Sequence, residues 1–180
     1  VIPTIDQNTN ATQLGIIMEF TAVVIDTEST GLDPKTAALV ELSAVRVEGD
    51  LAGGEAALST EIDTLCDPGV AIPAEASAVH HLTDHDVADA PDPTASVQQL
   101  LKGLDPESTV LVAHNQDYDR TLLARYAPEI ASEFCWACTF RMARRFAPDA
   151  PKHGNQVLRY YLGIEIPEEA AALPAHRALH

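Results

Sequence analysis

The order of strand-like and helix-like patterns predicts an α/β domain built on a mixed sheet. Three β-type runs come first, at residues 20–25, 40–47 and 56–62. After residue 67, short helical patterns take over, with one more buried strand-like run at 109–113 among them. Hydrophobic residues make up 46% of 180 residues at a mean hydropathy of −0.02, enough to bury the core of one domain.

Each element has a local reason. Residues 20–25 are apolar and β-branched and end in Asp26, as a buried strand does. Residues 40–47 alternate, and the turn signals Gly31-Leu32-Asp33-Pro34 and Glu48-Gly49-Asp50 bound them. Pro68, Pro73, Pro91 and Pro93 exclude long helices between 67 and 93, leaving short ones at 74–80 and 83–88. Helical patterns follow at 94–102, 116–126, 139–146 and 155–162, and a last helix is expected after Pro174. Asn115 stands where it could cap the helix that begins at 116. Residues 1–17 read as a polar N-terminal tail and 18–180 as the folded domain.

Charge narrows the function classes. The formal net charge is −16, with 27 Asp and Glu against 11 Lys and Arg. Of these, 21 acids and 3 bases lie in residues 1–119, and 6 acids and 8 bases in 120–180. A generic polyanion or membrane-surface binder is disfavoured, and an anionic partner is expected at the C-terminal third. Three cysteines are no disulfide framework, no apolar run reaches ~18 residues, and the first 15 residues lack signal-peptide character, so a cytoplasmic protein without a membrane partner is expected.

Two acidic clusters carry chemistry. In Asp26-Thr27-Glu28-Ser29-Thr30-Gly31-Leu32, Asp26 and Glu28 share a strand face, where two carboxylates repel unless a proton or divalent cation separates them. Alone, an Asp-x-Glu triplet arises by chance on the order of once in such a chain. In His114-Asn115-Gln116-Asp117-Tyr118-Asp119, a strand hands over to a helix. Asp119 there borders the apolar stripe of Leu122, Leu123 and Tyr126, so its carboxylate needs a partner, and a metal shared with Asp26 would supply one. Asp117 is expected to face solvent. His114 could be a base, a substrate contact or a packed core histidine, the base role ranking last. His176, in the terminal Ala175-His176-Arg177-Ala178-Leu179-His180 run, would by itself be read as structural.

Taken in order, Asp26-x-Glu28-x-Thr30-Gly31-Leu32, His114-Asn115-x-x-Tyr118-Asp119 and His176-Arg177-Ala178-Leu179 resemble the three motifs of DnaQ-like 3′–5′ exonucleases with a catalytic histidine, the DEDDh type. The stretches 78–83 and 136–145 are similar to connecting segments of that family, the second to exonuclease X. The resemblance implies a ribonuclease H-like fold with a mixed five-stranded sheet flanked by helices. It implies DNA hydrolysis from the 3′ end to nucleoside 5′-monophosphates, in a DNA-repair setting. Two Mg²⁺ (or Mn²⁺) ions would be held by Asp26, Glu28 and Asp119, with His176 the general base. Thr27, Leu32, His114, Asn115 and Tyr118 would contact substrate, Leu32 as a wedge against the terminal base. The partners implied are single-stranded DNA or DNA 3′ ends, and a homodimer is compatible.

The family pattern places a further metal-binding Asp directly after the position of His180, so the domain reads as truncated at its C-terminus. Two alternatives stay within the fold: a catalytically impaired nucleic-acid-binding module, and an RNA-directed exonuclease. A haloacid-dehalogenase-like phosphatase wants a second Asp where Glu28 stands and leaves the second cluster unexplained. Cys135-x-x-Cys138 lacks further ligands at zinc spacing, and His80-His81 reads as loop packing. Arg141, Arg144 and Arg145, with Arg120, Arg125 and Lys152 nearby in sequence, form either a solvated helix face or a track for a DNA backbone.

Overall fold

The computed structural model describes residues 19–50 and 56–165. The tail 1–17, the helix after Pro174 and His176 lie outside the described residues. Strand β1 (Glu19–Ser29) pairs antiparallel with β2 (Leu39–Asp50), and β2 pairs antiparallel with β3 (Ala56–Leu65). Three short helices follow, α1 (Ala74–His80), α2 (Asp84–Val87) and α3 (Pro93–Leu101). The chain then enters β4 (Thr109–Ala113), parallel to β1, and continues through α4 (Asp117–Leu123) and α5 (Glu129–Ser132). Strand β5 (Cys135–Cys138) runs parallel to β4, before α6 (Thr139–Phe146) and α7 (Asn155–Leu162). The sheet order is β3-β2-β1-β4-β5, a mixed five-stranded sheet flanked by helices, as the α/β pattern predicts.

Period-two alternation sorts β1 cleanly. Val23 and Ile25 point into the main core with Leu42, Leu111, Val97, Leu100, Leu122 and Leu123, so α3 and α4 cover that face. Val24, Asp26 and Glu28 point to the other face, beside Ser43 and Val45 of β2 and Val110 and Val112 of β4. A smaller core of Val40, Leu82 and Val87 fixes the α1–α2 segment against β2.

Several elements differ from the sequence expectation. The first strand is longer than residues 20–25, because β2 pairs with it as far as Ser29; Asp26 and Glu28 therefore lie inside the strand. A break in register between Glu28 and Ser29 lets the chain turn away just after them. Asn115 does not cap α4. It takes the left-handed conformation at φ 70°, which Asn tolerates, and makes the turn out of β4, while Gln116 stands at the cap position. Helix α4 ends at Leu123, three residues before the apolar stripe does. Residues 135–138, which carry the Cys-x-x-Cys pattern, form the edge strand β5. Three apart on a strand, Cys135 and Cys138 face opposite ways, one exposed and one buried, so they are no ligand pair. Among the described residues no helix is long and apolar enough to cross a membrane.

Candidate active site

The carboxyl end of β1 and the first turn of α4 meet because β4 lies parallel beside β1 and hands its chain to α4 at the same end of the sheet. Asp119, 6% exposed, is brought against that strand end, where the Thr27 hydroxyl donates to its Oδ1 at 2.7 Å. Burial pushes the Asp119 carboxyl up to about 7, the Thr27 hydrogen bond opposing and the charges of Asp26 and Glu28 adding to the rise. Asp119 thus feels the charges of both Asp26 and Glu28.

Among the described residues no three Asp, Glu, His or Cys side chains close into a ready-made metal cage. The donor set nevertheless suits a hard divalent cation. It is all carboxylate oxygen, and one member, Asp119, is driven towards its neutral form by burial and by the two neighbouring negative charges, which a cation would offset. Magnesium in particular keeps waters and borrows oxygens from substrate, and needs only one or two protein carboxylates.

Tyr118 is set by the same helix turn. Its hydroxyl bonds with Ser29 Oγ and donates to the Gly31 carbonyl, which ties α4 to the loop that follows β1. Burial raises the Tyr118 phenol, with the Ser29 bond opposing, so it stays a donor at neutral pH. The same loop holds Leu32, 96% exposed, standing free at the rim. Beside it opens a cavity of about 330 Å³ lined by Thr27, Glu28, Leu32, Pro73, Val79 and His80, among others. Sequence reasoning missed this cavity and the Tyr118 clasp. The only signal was the recognisable segment at 78–83, which α1 delivers to the cavity wall. His80 is buried and its Nδ1 accepts from the Leu82 amide at 3.1 Å, whereas His81 ends α1 in the left-handed region. The packing role expected for the pair holds for His80.

His114 stands on the other flank of Asp26. Its Nδ1 lies 3.0 Å from Thr139 Oγ1, and its ring meets Phe140 edge-on at 5.5 Å. Burial lowers its pKa, while the His153 backbone and the Asp26 charge work the other way. A held, neutral imidazole fits a contact or packing role. Asn115 and Asp117 are exposed, Asp117 pairing with Arg141 at 2.5 Å as its predicted solvent-facing position requires. Thr27, Glu28, Leu32 and Tyr118 thus line one cavity, Asp119 is bonded to Thr27, and His114 feels the Asp26 charge, with Asn115 at the turn.

A mixed sheet in this order, with carboxylates from its central strand and from the helix after the parallel neighbour, defines a ribonuclease H-like domain. The chain belongs to the exonuclease family (RNase T type), whose family model matches residues 23–180. A DNA polymerase III subunit epsilon-like protein of Rhodobacter capsulatus is 38% identical over 156 residues, which cover 84% of this chain and 21% of that protein. Exodeoxyribonuclease 10 of Escherichia coli K12 is 32% identical over 160 residues, 87% of this chain and 61% of that one. The structure of exonuclease X in complex with 5′-overhanging duplex DNA superposes with a TM-score of 0.63 at 28% identity, covering 88% of this chain and 82% of the other. The chain thus spans about a fifth of the first relative and three fifths of the second.

Proposed function

We propose that the chain is a DEDDh-type 3′–5′ exonuclease that removes nucleoside 5′-monophosphates from DNA ends in a magnesium-dependent reaction. The observation that carries this reading is the buried Asp119, held by Thr27 at the end of β1 within reach of the Asp26 and Glu28 charges. Asp26, Glu28 and Asp119 are the residues that would hold the cations. Two divalent ions bound there would stabilise the entering and leaving oxygens of an in-line displacement at phosphorus. In the balanced step a water oxygen bonds to phosphorus, the bond to the neighbouring 3′ oxygen breaks, and that oxygen takes a proton. His176 is the proposed base for the water, since imidazole is the side chain that takes up and releases protons near neutral pH.

The cavity beside Glu28 is near the lower end of small-molecule pocket sizes and suits one terminal nucleoside. Leu32 at its rim would separate the terminal base from its neighbour, and the Tyr118 clasp would hold Leu32's loop in place. Thr27 positions Asp119. The relatives act on or are bound to DNA by their names, which favours DNA over RNA. The domain is taken as 18–180, working in the cytoplasm on DNA 3′ ends.

The test is product analysis with single-stranded DNA labelled at one end or the other. Mg²⁺-dependent release of mononucleotides from the 3′ label first, lost with EDTA, is expected. Release from the 5′ label first, or equal digestion in EDTA, overturns the reading. The same assay on an RNA strand distinguishes the RNA-directed alternative.

A further inference from the structure

The carboxylates of β1 have two flanks. At the Glu28 end is the cavity, walled by α1 and the loop after β1; beside Asp26 is His114, onto which α6 is anchored by Thr139 and Phe140. From that anchor α6 runs outward for eight residues, three of them arginines and none acidic. Arg141 is engaged by Asp117 at 2.5 Å. Arg144 and Arg145 are exposed, and neither bonds nor pairs with any described residue. Phe146, at the end of the helix, is 80% exposed. Residues 139–159 hold five Lys and Arg against one Asp on a chain of net charge −16. Two of these cations, Arg144 and Arg145, directly precede the exposed Phe146 in sequence. Positive charge with a free stacking surface is the footprint of a single nucleic-acid strand.

We propose that the last turn of α6, with Arg145 at its centre and Arg144 and Phe146 about 100° to either side, holds the strand that leads 5′ from the cleaved end. This rests on the exonuclease reading: with the terminal nucleoside in the cavity on one flank, the rest of the strand leaves over the other. Arg144 and Arg145 lie about 8 to 9 Å along the helix axis from Thr139 at 1.5 Å per residue. At that reach they meet phosphates a nucleotide or two beyond the scissile one, each contact releasing condensed counterions. Phe146 then stacks on the next base without reading its identity.

The experiment measures binding of labelled oligothymidylates of two and ten nucleotides by fluorescence anisotropy. It is done in Ca²⁺ across 50–200 mM salt, with the wild type and the double variant Arg144→Ala, Arg145→Ala. Hydrolysis of the p-nitrophenyl ester of thymidine 5′-monophosphate, which has no strand, is followed in parallel with Mg²⁺. The double variant should bind the ten-mer at least tenfold more weakly, with the slope of log affinity against log salt shallower by about 1.4, as two lost phosphate contacts require. The two-mer and the ester should change less than twofold. Arg144→Lys with Arg145→Lys should restore the slope, and Phe146→Leu should weaken the ten-mer about fivefold with the slope intact. An unchanged slope, or equal losses on the two-mer and ten-mer, overturns the proposal. A wild type that binds the ten-mer with the full slope yet cleaves neither ester nor strand overturns the exonuclease reading and leaves this surface standing.

Discussion

The two faces of the sheet are made from the same strands and serve opposite ends. On one, Val23, Ile25, Leu42 and Leu111 are sealed under α3 and α4 with almost no exposure. On the other, one residue along, Val24 is 41% exposed and Asp26 and Glu28 stand beside it. Stability is concentrated on the first face and chemistry on the second. The difference shows how a strand places carboxylates at the edge of a core without burying them in it. Of Asp26, Glu28 and Asp119, only Asp119, arriving from the covered side on α4, is buried, and it bears the electrostatic cost.

This division can be broken or sharpened by substitution. Asp26→Asn is the largest expected effect on function: a loss of at least 10³-fold in turnover, about 4 kcal/mol at the barrier. Its thermal midpoint should hold or rise without metal, since one of the repelling charges is gone. Leu122→Ala is the converse. Truncating this fully buried side chain should cost about 2–5 kcal/mol in urea unfolding, with turnover per folded molecule preserved. If Leu122→Ala instead destroyed turnover in the folded fraction, the two faces would not be separable.

Asp119→Asn tests the point where the faces meet, and its sign depends on pH. The folded carboxyl is raised to about 7, above its ordinary value of 3.8, so the fold penalises the charged form. That penalty is absent below about pH 4, grows as pH rises from 4 to 7, and is constant above. In metal-free buffer the variant should therefore match the wild type near pH 4 and exceed its melting temperature by a few degrees at pH 8. Mg²⁺ should narrow the gap at pH 8. A gap independent of pH would show that Asp119 carries no unfavourable charge. The smallest effect is expected at Val24→Thr, within about ±0.5 kcal/mol of wild-type stability; a larger loss would mean that the second face is also packed.

Local pattern was enough to place much of this arrangement. Helices α1, α6 and α7 and strand β4 begin and end where periodicity and proline placement put them, because each has its own boundary residues. Asp26, Glu28 and Asp119 stood out in two separate motif signals, and the fold brings Asp119 within reach of the other two charges. What could not be read was long-range. Strand β5 is four residues long and owes its conformation to pairing with β4, and its cysteines mimic a ligand pair. Asn115 looked like a helix cap, since the same short polar side chain suits both a cap and a left-handed turn. The Tyr118 clasp joins residues 87 and 89 positions apart, a relation that no local pattern encodes.

That separation has a consequence for the newly made chain. Asp26 and Glu28 leave the ribosome long before Asp119, and the Thr27–Asp119 bond that draws the acids together spans 92 positions. Contacts so distant in sequence form late, after the loop between them has been closed and ordered. Nascent or proteolysed fragments ending before α4 would carry the acid pair but not its partner. On the proposed function the domain would be inert while it is being synthesised among RNA, and would acquire its site only as its fold closes.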